Sequence, residues 1–556
     1  MSLPPQIENV IPEETARVAN AAFPKGNLYM KIHEVLGPLF TDAQFADLFP
    51  RRGQPAQAPW RLALVSVMQF AENLSDRQTA EAVRSRIDWK YTLALELTDP
   101  GFDYSVLCEF RARLLHGGAE QRLLETLLAL SRERGWLKAR GKQRTDSTHV
   151  LAAIHALNRL ENVGVTLRHA LNVLTEVAPD WLASQIQPEW IDRYSKRFEN
   201  YRLPRDEAER KALAVTVGKD GLTLLHALYS NDALEPLSRL PAVDLLRQVW
   251  VQQFVLEGER LCWRDAKQLP PGALLINSPY DAEARYSIKR DTVWTGYKVH
   301  LTESCSEDSP HLITHVQTTA GTTQDSDVTA DIHTDLANAD LLPGTHFMDA
   351  GYLDAPLLVE SRKDHGIELM GPVARDGSWQ AVAGQGFAQS QFRVDWEAQQ
   401  VTCPRGKLSR SWLLQKDSFD NAVIHVKFSH TDCQTCAVRA LCTRSTRREI
   451  AIRPKEQYLA LQDARTRQHT DEFRKCYGMR AGIEGTLSQG IWVCGMRRSR
   501  YIGQAKTHLQ NVVIATSLNL LRIGAWLMDV PLAKTRPSRF AVLARLWDNK
   551  MVPNPA

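Results

Sequence analysis

A mixed α/β domain behind an all-helical one is the fold class this sequence predicts, on three observations. The chain has 556 residues, too many for one ordinary hydrophobic core, so two or more folded units are expected. Apolar residues recur at helical spacing from Leu28 to about Leu130, after which β-like runs begin. Those runs first follow one another and then alternate with helices, as a mixed sheet flanked by helices requires.

The elements follow in order. Residues 1–27 contain proline, are weakly patterned and read as a leader arm. Residues 28–135 form the helical domain. "APWRLALVSVMQFAENLS" carries Leu62, Leu64, Val65, Val67, Met68 and Phe70 on a broad apolar face. "SDRQTAEAVRSRIDWKYTLAL" begins at an N-cap, Ser75 or Asp76, and sets Ala80, Val83 and Ile87 on one side. "DYSVLCEFRARLL" is capped near Asp103 or Ser105. Short helices bearing Arg77, Arg84, Arg86, Arg111 and Arg113 fit a helix-turn-helix-like DNA reader, with a plain bundle as the other reading.

From 140 to 375 the period changes. "QRTDSTHVLAA" is a short β-like run containing Asp146, followed by a helical insertion over about 152–265. "WTGYKVHLTESC" and "HLITHVQTTAG" are Val-, Ile-, Thr- and Tyr-bearing strands bounded by turn residues. "SDVTADIHTDLANA" is a helix, "GTHFMDAGYLD" a strand that breaks at Ala350–Gly351, and "APLLVESRKDHG" a helix leading to the strand "IELMGPV". Residues 376–452 interrupt the alternation with short β pieces and a cysteine cluster. Residues 453–528 return to helix, first as one long run over 456–490 and then as "AKTHLQNVVIATSLNLLRIGAWL", with Leu509, Val512, Val513, Thr516 and Leu520 aligned. Residues 529–556 read as a tail.

Composition narrows the class. Hydrophobic residues at 44% and charged residues at 24% are ordinary for a globular protein. No apolar run reaches the roughly 20 residues of a membrane span, and "MSLPPQIENVIPEE" lacks a secretory pattern, so a cytoplasmic protein is expected. The net charge of +4 is unevenly placed. From Thr435 to Lys506 fifteen Lys and Arg face six acids, a local charge of +9, leaving −5 for the rest. Such a concentration fits a polyanionic partner as well as a solvated basic face.

Three acids stand where chemistry is done. Asp146 and Asp349 lie in or at the end of strands, where an α/β sheet forms its binding crevice. Glu484 lies on a helix able to dock against that sheet. Converging carboxylates need cations, and hard oxygen ligands favour Mg²⁺ or Mn²⁺. Two such ions, roughly 3.5–4 Å apart, suit in-line phosphoryl transfer. Spacing alone leaves Asp281, Asp325, Asp327 and Asp354 as competitors, and Glu484 as a simple i,i+4 partner of Arg480. His149, His315 and His346 lie near the acids and read as packed histidines.

The stretches "TDSTHV", "HFMDAGYLDA" and "RAGIEGTLSQG…MRRSRYIGQAKTHLQNVVIATSLNLLR" resemble bacterial insertion-sequence transposases of the DDE class. The resemblance covers nearly the whole chain, including an InsH-type helical N-terminal domain. It implies an RNase H-like catalytic domain with the triad Asp146, Asp349 and Glu484, two Mg²⁺ or Mn²⁺ ions, and double-stranded DNA bound by a homodimer or higher multimer. Many relatives show Tyr-x2-Arg-x3-Glu-x6-Lys. Tyr477, Arg480 and Glu484 satisfy its first three positions, whereas Ile491 stands at the lysine. Tyr477 and Arg480 are then expected to hold a DNA phosphate, and Arg497, Arg498, Arg500 and Lys506 to contact the backbone. A nuclease that cuts without joining and an inactive DNA-binding derivative are the rival functions.

Nine cysteines, an odd number spread along the chain, argue against a disulfide framework. Four are grouped as Cys403-x29-Cys433-x2-Cys436-x5-Cys442, a spacing open to a structural Zn²⁺ or to free thiols. Similar cysteines at this place in the resembled family favour zinc.

Overall fold

The computed structural model describes residues 2, 3, 10–155, 157–230, 235–289, 291–418, 420–531, 539, 540 and 543. Most of the expected tail lies outside the described residues. The chain is mixed α/β, with helices around a curled mixed sheet and a helical N-terminal part, consistent with the RNase H-like domain implied above.

The helical part begins earlier than its sequence pattern indicated. Glu13–Ala22 is a helix, its Thr15 hydroxyl donating to the Leu95 carbonyl (2.9 Å) and its Ala19 packed with Met30 and Tyr91. Within residues 1–27 the described part is therefore not only an arm. Helix Pro59–Ala71 is buried on every side. Its outer face meets helix Gln504–Leu527, where the Ser517 hydroxyl reaches the Val67 carbonyl (2.7 Å). Gly524 lets Leu28 come close, since a Cβ there would stand 2.0 Å from a Leu28 methyl. One continuous core thus joins the N-terminal helices, the sheet and the C-terminal helices. Each fully buried Leu, Val, Ile, Phe or Met in it contributes about 1.5–3 kcal/mol.

This packing consumes several arginines expected to face DNA. Arg111 pairs with Asp76 and lies over the Tyr501 ring; Arg86 pairs with Glu72 and Asp88; Arg113 covers Phe49 and donates to the Leu48 carbonyl. Arg77 and Arg84 stay exposed.

Strand β1 (Arg140–Leu151) opens the α/β part. The insertion that follows has its own core, built by helices Arg159–Val177, Glu207–Tyr229 and Pro241–Gln253 with the hairpin of β2 (Phe254–Glu257) and β3 (Arg260–Trp263). Ile276 and Ala282 still pack on that core, so the insertion runs past residue 265. The sheet then resumes with β4 (Arg285–Lys289), β5 (Thr292–Ser304), β6 (Ile313–Ala320), β7 (Pro343–Phe347) and β8 (Glu368–Met370). Its order is β6-β5-β1-β7-β8, with β4 folded back on the first residues of β5. β5 is antiparallel to β1 and β6, while β7 is parallel to β1 and β8. Parallel and antiparallel halves meet at β1.

Residues 376–452 make a small β unit. β9 (Arg393–Asp395) pairs with β10 (Gln400–Thr402), and β11 (Ser411–Lys416), β12 (Ala422–Lys427) and β13 (Glu449–Ile452) form a second sheet. The helical run expected over 456–490 is broken into Lys455–Arg467, Asp471–Tyr477, a 3₁₀ turn Gly478–Ala481 and Gly482–Cys494. Thr470 makes the first break by capping the next helix, its hydroxyl accepting from the Phe473 N–H (3.2 Å). Arg480 consequently lies in the 3₁₀ turn just before the Glu484 helix rather than on it.

Candidate active site

The register of β1 and β7 brings two acids together. Arg144 is opposite Phe347, the last paired positions of the two strands. Two residues further on stand Asp146 and Asp349, where the strands part. Each uses one carboxylate oxygen locally. Asp146 Oδ1 accepts from the Ser147 N–H (2.8 Å), and Asp349 Oδ1 accepts from the Gly351 N–H (2.9 Å), capping the turn Ala350–Tyr352. The other oxygen of each is left for the crevice.

Arg480 fills the space between them. Its Nη2 lies 2.7 Å from Asp146 Oδ2 and 3.9 Å from Asp349 Oδ2, and its Nη1 lies 3.4 Å from Glu484 Oε1. One guanidinium therefore touches all three acids. Its Nε–H is buried without an acceptor. Exposure grades across the site: the Asp146 side chain is 13% exposed, Asp349 33% and Glu484 67%. Burial holds the Asp146 carboxyl above the usual carboxylate range, with the Arg480 charge opposing that shift. Tyr477 stacks on Phe473 (5.4 Å between centroids), and burial raises its phenol.

The competing acids are engaged elsewhere. Asp354 caps helix Ala355–His365 through the Leu357 N–H (2.8 Å). Asp281 accepts from the Tyr297 hydroxyl (2.6 Å) and the Gly503 N–H (3.2 Å), and Asp327 is exposed. Asp325 comes nearest: it lies 3.2 Å from Lys298 Nζ and 3.4 Å from the Ser147 hydroxyl, directly behind the two aspartates. His346 bonds Thr145 and His333, and His315 bonds Asp335, both inside the fold.

A buried ionic cluster, missed in the sequence, fastens the Glu484 helix to the sheet. Glu303 on β5 is wholly buried. It accepts from Arg144 Nε (2.6 Å), from Arg522 Nη1 (2.7 Å) and from the Thr486 hydroxyl. Arg144 also donates to the Met479 carbonyl, beside Arg480. A Cβ on Gly482 would stand 2.1 Å from Arg144 Nη1, so the first turn of the helix sits directly on this guanidinium. Glu303, an acid within an apolar and Thr-rich strand, was the available signal, because a buried carboxylate needs a cation.

The late basic residues divide. Segment 497–499 adds to the end of β1, with Leu151 N–H donating to the Arg497 carbonyl (2.9 Å) and Ser499 N–H to the Leu151 carbonyl (2.8 Å). Arg498 and Lys506 are exposed. Arg497 is half-buried against His149, 2.9 Å from Nε2. Arg500 has its donors on the Leu74 carbonyl and Asn73 Oδ1 (both 2.6 Å) and its guanidinium over Phe70, tying the basic segment to the N-terminal helices. Ile491, where the family resemblance led to an expectation of lysine, packs against the main core.

Cys403, Cys433, Cys436 and Cys442 line one cavity of about 40 Å³ in the small β unit. Among the described residues no group of three or more His, Cys, Asp or Glu side chains is drawn together tightly enough to hold a metal ion. At the triad the reason is visible, since a guanidinium stands where the carboxylates converge. A cation serving three hard carboxylates is the arrangement a divalent ion would also satisfy, so the donor set fits Mg²⁺ or Mn²⁺.

Two family models match the chain. One described as "Transposase DDE domain" matches residues 402–524, and one described as "Transposase domain (DUF772)" matches residues 17–113. No curated protein and no solved structure matches. Among the described residues no helix is long and apolar enough to cross a membrane.

Proposed function

Taking as premise that the chain belongs with the insertion-sequence DDE transposases, we propose that it cuts DNA at the ends of its element and joins the freed 3′-hydroxyls to target DNA at Asp146, Asp349 and Glu484. The observation that carries this reading is the meeting of three carboxylates, from two strand ends and one helix, around one guanidinium. Two Mg²⁺ or Mn²⁺ ions, when bound, would supply the charge that activates the attacking oxygen and steadies the leaving one. Asp146 and Asp349 hold their ligand oxygens in place through the Ser147 and Gly351 N–H groups. Glu484, the most exposed of the three, closes the site from the helix side.

Arg480 would exchange partners when metal and DNA bind. With divalent ions held by the carboxylates, its guanidinium would be free for a DNA phosphate, which Arg suits by its paired donors. Its buried, unpartnered Nε–H is a further donor for that contact. Tyr477 stands beside it. The duplex runs over Arg498 and Lys506, and two or more chains bind the paired element ends in the cytoplasm.

The test uses a pre-cleaved element end with supercoiled target DNA, and an uncleaved end alongside, each with Mg²⁺ or EDTA. Mg²⁺-dependent joined products support transposition. Cutting without joining would replace it with a nuclease, and binding with no Mg²⁺-dependent product would sink the enzymatic reading.

Three further outcomes follow. Arg498→Ala and Lys506→Ala each weaken DNA binding and lower the slope of log affinity against log salt by about one. Arg500→Ala leaves that slope largely unchanged and lowers the melting temperature, because its donors serve Leu74 and Asn73. In the metal-free chain Arg480→Gln raises the pH at which the Asp146 carboxyl ionises, followed by carboxylate NMR. Burial already raises that carboxyl, and Arg480 is the strongest influence holding it down. An Asp146 ionisation unmoved in metal-free Arg480→Gln would contradict the contact.

A further inference from the structure

The cysteine cavity lies outside the triad and has no part in the chemistry above. We infer that Cys403, Cys433, Cys436 and Cys442 bind one Zn²⁺, which holds the small β unit of residues 376–452 in shape.

Two of the four sulfurs already sit in the local geometry that favours thiolate ligation. Cys403 begins a tight turn, "CPRGK". Its N–H donates to the Lys407 carbonyl (2.9 Å) and its carbonyl accepts from the Gly406 N–H (2.8 Å). Gly406 takes φ +76°, a conformation that favours glycine, and the chain then reverses so that the Lys407 N–H points at Cys403 Sγ (3.3 Å). The second side is built alike. Cys433 ends in a short helix, His430–Gln434, and its sulfur accepts from the Arg448 N–H (3.5 Å). Backbone N–H groups aimed at sulfur stabilise thiolate charge and orient the ligand, the outer-shell support a metal site needs.

Position and charge agree. Cys436 follows Cys433 by two residues, and Cys442 closes the next short helix, Arg439–Cys442. The turn after β10 and these two helices meet at the cavity, where Lys407 of the turn also pairs with Asp432 of the first helix (3.5 Å). It is walled by Arg405, Lys407, Arg439 and Arg448, against the single acid Asp432. Four thiolates on one Zn²⁺ carry a net charge of −2, which this basic wall offsets. All four thiols are free and partly buried, and none is paired as a disulfide.

The unit also needs such a staple. Its own core has seven buried hydrophobic residues, and Cys403, Cys433 and Cys442 pack at its margin. A core so small contributes too little alone, and a structural metal is one usual remedy. The four sulfurs line one small cavity, of about 40 Å³, with room for an ion between them.

The experiment uses the full chain purified without chelator. Metal analysis is expected to give about one Zn²⁺ per chain. A thiol-specific mercurial should release it, and Co²⁺ replacement should show the visible bands of tetrahedral thiolate cobalt. Cys436→Ser loses the zinc, while Cys476→Ser, outside the cluster, keeps it. If Cys436→Ser fails to fold, mercurial release and the cobalt spectrum of the wild-type chain decide the matter. A chain that folds without zinc and titrates four reactive thiols there overturns the inference. So does zinc unchanged in Cys436→Ser, or iron in place of zinc.

Discussion

Asp349→Asn removes DNA joining by roughly a thousandfold or more, a loss of about 4 kcal/mol of transition-state stabilisation, while the fold stays intact. The substitution keeps the shape of the side chain and one carbonyl oxygen, so the cap on the Gly351 N–H survives. Only the negative charge directed at the crevice is lost. Arg480 keeps its closer partner, Asp146 at 2.7 Å, and so retains its place. The expected signature is a variant that melts like the wild type, binds element ends like the wild type and joins nothing in Mg²⁺. Asp349→Asn with joining within tenfold of wild type would place the chemistry elsewhere, and Asp325, just behind the triad, would be the next acid to examine.

Glu303→Gln is expected to cost about 3–5 kcal/mol of stability, the range for breaking a buried ion pair by removing one partner. Glu303 is wholly buried and answers both Arg144 and Arg522. The amide removes its charge and leaves two guanidinium groups short of a counter-ion, beside the first turns of the Glu484 helix. Denaturant unfolding should show the lower midpoint. Because Arg144 also supports Met479 and Gly482, the surviving folded fraction should bind Mg²⁺ more weakly than wild type. Stability within about 1 kcal/mol of wild type would mean that solvent screens this cluster despite its burial.

The parts of the site legible in the sequence are those that depend on local pattern. Local pattern placed Asp349 on a short strand breaking at Ala350–Gly351 and Asp146 in a β-like run, but it left Asp281, Asp325, Asp327 and Asp354 beside them, and the family resemblance singled out the triad. The adjacency of Asp146 and Asp349 follows once β1 and β7 pair in parallel, which spacing does not dictate. The contact between Arg480 and Asp146 joins residues far apart in the chain, and helical spacing showed only the Arg480–Glu484 half of it. Arg500 read as a DNA contact because charge density does not reveal which guanidinium lies on a phenylalanine ring. The break before Asp471 escaped because strong helix formers flank it, and Thr470 stops the helix only by turning its hydroxyl to the next one. Helix Glu13–Ala22, by contrast, had a visible start signal in Pro12 followed by two glutamates.

Shared divalent metal at Asp146, Asp349 and Glu484 is open to direct mapping. Fe²⁺ put in place of Mg²⁺, with ascorbate and peroxide, generates hydroxyl radicals that cut the chain beside the bound ion. Backbone cuts are expected near residues 146, 349 and 484 together, suppressed by excess Mg²⁺ and lost in Asp146→Asn. Cuts confined to other segments, or cuts at these three that persist unchanged in Asp146→Asn, would contradict it.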